Sequence, residues 1–258
     1  MGTGSQRSNI STSRHIRVIV GPKGGVGKTT ISTNLAVAMD EPVGLVDLDI
    51  PYANIASLIR CNPEKTWKDW QGKESLLAQT TSVREQIYLL SCSADYTGEV
   101  ERPSTAKVQN ALEVLQSMLK NVIVDCGSSV DDYTKLACSV ATEVLVVTTA
   151  DQVALRNTLQ FIHLIRPLLQ RKAVIKLILN QVDKLAFKVT ELEETAECEV
   201  VMVLPEAKQI KKAMLKGELM VEKYPKAKWS RIIKSYADKM RSNNFAQEEK
   251  SFFQRLFG

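Results

Sequence analysis

The sequence predicts an α/β protein with a doubly wound, mostly parallel sheet that carries helices on both faces. Short apolar, β-branched runs recur along the chain, helical patterns fill the intervals, and neither a Gly/Ser linker nor an internal repeat divides residues 15–240. Strand alternating with helix is typical of doubly wound sheets with right-handed crossovers. In such sheets, ligands bind beyond the carboxyl ends of the strands, so we expect the functional residues there.

The apolar runs are the predicted strands. Continuous apolar segments of this kind suit strands that are covered on both faces, as in parallel sheets. In chain order the predicted strands are residues 16–20, 43–47, 87–91, 121–125, 143–148, 174–180 and 199–205.

Helical periodicity is clearest in residues 105–120, where Val108, Leu112 and Leu115 recur on one face and a Ser/Thr start signal precedes the run. A second predicted helix covers residues 151–170, with Pro167 near its end. Both segments follow a predicted strand and therefore serve as crossover connections.

Composition limits the classes of function that need to be considered. The 258 residues are 44% apolar and 24% charged with a net charge of +5, which is typical of globular proteins and permits affinity for an anionic surface. Five scattered cysteines without a CxxC pair, and only two histidines, argue against a structural zinc site. Residues 1–14 form a polar head, predicted to be disordered and to lack a signal peptide, and no run approaches the ~20 apolar residues of a spanning helix. We therefore expect a cytoplasmic protein.

A glycine-rich turn, "GPKGGVGKTT" (21–30), joins the first predicted strand to a helix. Glycines let backbone N–H groups converge on an anion, and the helix directs its positive dipole end to the same point. Lys28 would pair with the β and γ phosphates, and the Thr29 hydroxyl would bind magnesium. The predicted nucleotide contacts are Gly24, Gly25, Val26, Gly27, Lys28, Thr29 and Thr30.

This loop has Pro22 where the strict phosphate-loop pattern has glycine, and it carries a second lysine, Lys23. The stretch "KGGVGKTT" resembles the deviant Walker A motif of the MinD/ParA family of ATPases, which are P-loop NTPases of the SIMIBI class. The resemblance implies ATP and Mg²⁺ as ligands, slow basal ATP hydrolysis and acceleration by an unidentified activator protein. It also implies an ATP-dependent homodimer in which Lys23 reaches the partner's nucleotide phosphates.

Two aspartate motifs extend the resemblance. "VGLVDLDI" (43–50) resembles the family's second motif, which implies that Asp49 positions or activates the attacking water and that Asp47 supports the magnesium region. "NVIVDCGSS" (121–129) resembles Walker B and implies that Asp125 binds magnesium through water. Many relatives have proline at the position of Gly127.

Weaker resemblances concern the base. "LILNQ" resembles the family segment that ends in a strand-end asparagine, which implies that Asn180 hydrogen-bonds adenine. The segment that begins at Pro205 resembles the family segment that lies beside adenine. The resemblance covers roughly residues 15–240. Within the superfamily, "VDLDIPYANIASLI" and the segment that follows "VIVDCGSS" look closest to the CpaE/TadZ-like pilus-positioning branch.

The chain ends in an apolar segment, "EEKSFFQRLFG". At helical spacing Phe252, Phe253, Leu256 and Phe257 gather on one side, while Arg255 lies towards the other and would attract anionic lipid. We predict a tether at 241–249 and a membrane-targeting segment at 250–258, which also resembles the tail of MinD proteins. Two such segments on a dimer would bind a membrane far better than one. The alternative is that this segment packs back on its own domain.

The leading functional prediction is a dimerising switch ATPase, peripheral at the inner face of the cell membrane, that positions a division site, flagellum or pilus. One alternative is a ParA-type ATPase that binds non-specific DNA, and another is a CpaE/TadZ-like localisation protein without membrane binding. A DNA-binding face would use Lys208, Lys211, Lys212, Lys216, Lys223, Lys226 and Lys228. A ligase or iron–sulphur reductase on the same fold is disfavoured because no second-substrate motif or cluster cysteines are visible.

Overall fold

The computed structural model describes residues 14–50, 53–72, 80–84, 86–92 and 102–242. The strands in these ranges form one sheet in the order β3-β4-β2-β5-β1-β6-β7-β8, parallel except for β3, which pairs antiparallel with β4. Helices cover both of its faces, so the predicted fold class is confirmed. The strands are β1 His15–Val20, β2 Val43–Leu48, β3 Thr81–Val83, β4 Ile87–Leu90, β5 Asn121–Cys126, β6 Glu143–Thr148, β7 Val174–Val182 and β8 Glu199–Pro205.

Side-chain capping defines the starts of several helices. Ser104, Asp131 and Asp151 each accept a hydrogen bond from a backbone N–H of the following first turn, which satisfies a donor that the helix leaves free. The helices are α1 Lys28–Ala38, α2 Ile55–Leu58, α3 Thr105–Met118, α4 Asp132–Val140, α5 Gln152–Ile165, α6 Val189–Ala196, α7 Lys208–Met214, α8 Met220–Lys223 and α9 Lys228–Ser242. A 3₁₀ turn at Arg166–Leu168 contains Pro167 and ends the second predicted helix.

The two faces of the sheet bury separate apolar clusters. One contains Val108 and Leu112 of α3 together with Phe161 of α5. The other contains Leu35 of α1 and Trp229 of α9. Because helices cover both faces, the central strands β2, β5 and β6 are buried along their whole length, which explains their continuous apolar runs.

A buried ionic network lies where the parallel strands begin, and we call this side of the sheet the amino edge. The Arg17 Nε and Glu143 Oε2 atoms are 2.8 Å apart, and both side chains are almost fully buried. Lys176 and the Tyr236 hydroxyl donate to the other carboxylate oxygen of Glu143 at 3.1 and 3.0 Å. Arg17 also donates to the Met240 carbonyl at 3.5 Å. The network therefore ties the end of α9 to the sheet.

The described chain ends with α9, which continues to Ser242, inside the predicted tether. The predicted membrane-targeting residues, Phe252, Phe253, Arg255, Leu256 and Phe257, lie outside the described residues. Within the described ranges, no helix combines the length and apolar character that crossing a membrane requires.

Candidate nucleotide-binding site

The glycine-rich loop connects β1 to α1 at the opposite side of the sheet, which we call the carboxyl edge. Gly27 precedes α1 with a φ angle of 100°, a left-handed conformation that favours glycine. A Cβ at this position would also lie 2.3 Å from Asn180 Nδ2. Position 27 is therefore restricted both by its backbone conformation and by a neighbouring side chain.

The two lysines of the loop have different environments. Lys28 is 7% exposed, and its Nζ donates to the Lys23 carbonyl at 3.2 Å across the loop. Lys23 is exposed at the head of the loop. Asp151, which begins α5, has its pKa lowered by hydrogen bonds from Thr149 and Ala154 and also by the charge of Lys23. Lys28 therefore faces the interior of the loop, and Lys23 faces outwards beside Asp151.

Asp125 is the penultimate residue of β5, lies near Thr29 and Lys28 of the loop, and is fully buried. Neither of its carboxylate oxygens has a hydrogen-bond partner of normal geometry among the described residues. Burial and the charge of Asp47 raise the pKa of Asp125 to about 8, against the weaker opposing effect of the nearby Thr29 and Ser32 hydroxyls. A buried carboxyl group without a hydrogen-bond partner, beside a phosphate-loop threonine, offers oxygen ligands that fit a hydrated magnesium ion.

Asp47 is aligned with Asp125 across β2 and β5 and is also fully buried. Its two oxygens accept from the backbone N–H groups of Asp49 at 3.1 Å and Ile55 at 2.9 Å. Burial nevertheless raises the pKa of Asp47 to about 6. Asp47 therefore organises the backbone that carries Asp49, and it adds negative charge to the region of Asp125.

Asp49 is half-buried just beyond the end of β2. Burial raises its pKa, the Lys28 charge opposes that shift, and the Asp131 charge adds to it. A Cβ at Gly127 would lie 2.8 Å from Asp49 Oδ1, so the absence of a side chain at position 127 leaves room for this carboxylate. Asp49 therefore lies near Lys28, where a group that orients the attacking water is required.

Asn180 lies two residues before the end of β7, and Pro205 ends the neighbouring strand β8. Asn180 is buried and donates from Nδ2 to the Val26 carbonyl at 2.7 Å, while Trp229 Nε1 donates to its Oδ1 at 3.4 Å. Pro205 lines a cleft of about 250 Å³, together with residues that include Val182 and Asp183. A purine base fits a cleft of this size, but the contacts of Asn180 and Pro205 with adenine stay predictions.

Sequence reasoning missed three residues of this site. Gln181 donates from Nε2 to the Gly25 carbonyl at 2.9 Å. Trp229 contacts Asn180 from a helix far along the chain, and Asp131 faces Asp49 from the start of α4. The Asp131 capping pattern before α4 was the only local signal, and it predicts a helix start without predicting the proximity to Asp49.

The fold and this site define a phosphate-loop nucleotide-binding protein. Residues 17–220 match the family described as the CobQ/CobB/MinD/ParA nucleotide binding domain. An uncharacterized ATP-binding protein of Methanocaldococcus jannaschii is 27% identical over 233 residues, covering 86% of each chain. The chain therefore belongs to the CobQ/CobB/MinD/ParA nucleotide-binding family, which confirms the predicted resemblance to MinD/ParA proteins.

Solved structures show the same fold. A ParA family ATPase from Chlorobium tepidum superposes with a TM-score of 0.78 at 22% identity, over 88% of this chain and 98% of that one. The septum site-determining protein MinD of Pyrococcus horikoshii, solved as a complex with Mg-ADP, gives a TM-score of 0.75 at 22% identity, over 88% and 95%. MinD/ParA family members are ATPases, which supports ATPase activity in general terms for this chain.

Proposed function

We propose that this chain is a magnesium-dependent ATPase switch that dimerises with ATP, binds the inner face of the cell membrane and thereby positions a cellular structure. The observation that carries the proposal is the cluster of Lys28, Thr29, Asp49 and Asp125 around the glycine-rich loop at the carboxyl edge. Three different elements deliver these side chains to one place, which a chance glycine-rich turn would not require.

The protein groups account for phosphoryl transfer to water. The loop N–H groups and the start of α1 bind the phosphates, and Lys28 exchanges the Lys23 carbonyl for phosphate oxygens. Thr29 would hold magnesium directly and Asp125 through water, where the ion would neutralise phosphate charge. Asp49 orients the attacking water and is well suited to accept a proton because burial raises its pKa. Exposed Lys23 reaches the nucleotide of the second copy.

Nucleotide binding is tested by Lys28→Ala, which removes the principal phosphate counter-charge. We expect calorimetry to show no measurable ATP binding, whereas Lys172→Ala, an exposed lysine in the turn before β7, should bind as wild type does. Unchanged ATP affinity in Lys28→Ala would exclude the loop as the phosphate site.

Two further variants separate closure from hydrolysis. Asp49→Ala should bind ATP and accumulate as a dimer, because the nucleotide contacts remain while the water is no longer oriented. Lys23→Ala should bind ATP but fail to hydrolyse or dimerise normally. ATP turnover by Asp49→Ala at the wild-type rate would contradict the role proposed for Asp49.

Membrane binding is supported by the apolar side of residues 250–258 and by the gain that two copies provide. Burying a large apolar side chain stabilises by roughly 1.5–3 kcal/mol, and ordering the segment offsets much of that. One segment should therefore bind weakly and two should bind strongly. The nucleotide state would control binding by setting the fraction of dimer.

Co-sedimentation with anionic liposomes in ATP and in ADP tests this membrane step. Binding should rise with ATP, and Phe253→Glu or Phe257→Glu should abolish it without changing ATP affinity, because each places a charge at the acyl boundary. Arg255→Glu should have a smaller effect that appears mainly on anionic lipid, since its attraction is about 1 kcal/mol. If wild type ignores lipid in both states and the glutamate variants lose thermal stability, the segment folds back instead.

Non-specific DNA binding is the second candidate because lysines are exposed on and after α7. The exposed members are Lys208, Lys211, Lys212, Lys216, Lys223, Lys226 and Lys228, of which Lys223 pairs with Glu218 at 2.9 Å. A DNA shift that weakens steeply with salt, together with no liposome binding, would favour this candidate. Binding to neither surface would favour a CpaE/TadZ-like role without a membrane step.

A further inference from the structure

Gln181 has a backbone conformation that an extended strand does not normally contain. Its φ angle is 58°, and the pairing of β7 with β8 shifts register between Leu179 and Val182. In a regular strand, the side chains of neighbouring residues point to opposite faces. The left-handed residue and the register shift instead bring the side chains of Asn180 and Gln181 to the same loop.

Both side chains donate to consecutive carbonyls of the glycine-rich loop. Asn180 Nδ2 donates to the Val26 carbonyl at 2.7 Å, and Gln181 Nε2 donates to the Gly25 carbonyl at 2.9 Å. The Asn180 amide is oriented in turn by Trp229, whose indole N–H donates to Oδ1 at 3.4 Å. An amide nitrogen has two hydrogens, so the contact with Val26 leaves one available for a ligand.

Peptide geometry links these contacts to the anion site. In a trans peptide the carbonyl and the N–H point in opposite directions. The carbonyls of Gly25 and Val26 belong to the peptides that carry the N–H groups of Val26 and Gly27. Drawing both carbonyls towards β7 therefore turns both N–H groups away from β7, which forms the concave set of donors that binds an anion.

We propose that Gln181, together with Asn180, is a positioning residue that holds two peptides of the loop in the orientation that binds the nucleotide's polyphosphate. This inference rests on the proposed function. It differs from a contact with the base because Gln181 acts on the phosphate end, so it should influence ADP binding and leave adenosine binding unchanged.

The test uses Gln181→Gly, because glycine removes the donor and also favours the left-handed backbone. We expect the affinity for Mg-ADP in calorimetry to fall about three- to tenfold, the range of one net hydrogen bond. The thermal midpoint of the nucleotide-free chain should stay equal or rise. Gln181→Asn, which tolerates the same φ angle but is one methylene shorter, should lose affinity similarly.

Glu197→Gly is the matched control because Glu197 is an exposed residue with a φ angle of 50° at the end of α6. Glu197→Gly should likewise leave the thermal midpoint equal or higher, and its Mg-ADP affinity should be unchanged. Equal Mg-ADP affinity in Gln181→Gly and wild type would overturn the inference. A parallel loss of thermal midpoint in both Gln181 variants would also overturn it, by making the residue merely structural. Failure of wild type to bind Mg-ADP would instead refute the proposed function.

Discussion

Asp125 and Asp47 carry an electrostatic cost because each is buried and they lie side by side on adjacent strands. Their folded pKa values, about 8 and about 6, exceed the ordinary value of 3.8. At pH values between 3.8 and its folded pKa, each carboxyl group keeps its proton in the folded chain but loses it in the unfolded chain. The free energy of unfolding therefore decreases as pH rises, by about 1.4 kcal/mol per pH unit for each carboxyl group that is protonated only in the folded state.

Asp125→Asn should flatten this pH dependence because it removes one of the two titrations. In EDTA, urea unfolding of wild type should show a free energy that decreases from pH 5 to pH 8, with a shallower decrease in the variant. Added Mg-ADP should stabilise wild type at pH 8 more than it stabilises Asp125→Asn. Asp132→Asn, at an exposed position, is the control, and equal slopes in Asp125→Asn and wild type would contradict the assignment.

Gly127→Ala tests how the carboxylate of Asp49 is placed. Gly127 does not have a positive φ angle, so alanine should fit this backbone conformation without strain. The added Cβ should instead displace the Asp49 carboxylate. We expect kcat for ATP hydrolysis to fall about tenfold or more, with ATP affinity nearly unchanged. Gly44→Ala, whose Cβ would lie 3.3 Å from Leu119 Cδ1, is the control. An unchanged kcat would show that position 127 does not set this geometry.

Among the residues of the site, the sequence predicted those that directly follow or end an apolar strand. The glycine-rich loop, Asp49 and Asp125 each follow an apolar run, and the structure brings their side chains close to one another. Gln181 was missed because its role depends on a left-handed φ angle that no neighbouring residue signals. Trp229 was missed because a contact with Asn180, 49 positions away, has no local pattern.

Polar contacts in the core tie α9 to the sheet through Glu143 and Arg17. Burial raises the pKa of Glu143, but Arg17 and Lys176 outweigh that effect, and the net shift is downwards. The stabilisation from ionised Glu143 is therefore present above its ordinary pKa of 4.5 and is lost as pH falls through the lower folded value. The network should hold α9 most firmly at neutral pH.

Arg17→Met should destabilise the fold by about 3 kcal/mol at pH 7, because it leaves Glu143 buried with less compensation. Urea unfolding at pH 4 should show a smaller loss, since Glu143 in the variant then takes up a proton. Arg84→Met breaks an ion pair with Glu222 whose side chains are both 39% exposed, and it should cost less than about 1 kcal/mol. Losses of equal size in the two variants would contradict the special role of the buried network.

The strands that are covered on both faces were easier to predict than the edge strand β3. The predicted runs match β1, β2 and β4 to β8 to within two residues, because strands covered on both faces require continuous apolar side chains. β3 was not predicted: Thr81–Val83 is a three-residue antiparallel edge strand with an exposed central serine. So short a segment, with two of its three residues polar, carries no periodic signal.

In the part of the molecule that the structure describes, α9 runs from the carboxyl edge of the sheet to the amino edge. Trp229 near its start contacts Asn180 behind the glycine-rich loop, and Met240 near its end contacts Arg17 at the amino edge. A dimer that joins two nucleotide sites would therefore use the carboxyl edge, while the chain leaves Ser242 at the amino edge. Dimerisation at the carboxyl edge and membrane attachment from the amino edge would therefore use different sides of the domain.

The contacts at the amino edge also bring the two ends of the described domain together. Arg14 donates to the carbonyl of Gln116 at 3.1 Å, at the end of α3, and Lys120, just beyond it, donates to the Arg241 carbonyl at 3.0 Å. Residues 243–258 moved ahead of Arg14 would therefore leave the domain from nearly the same place. Such a rearranged chain, ending at Ser242, should recover ATP-dependent liposome binding. A rearranged chain that binds ATP as wild type does but does not bind liposomes would contradict this expectation.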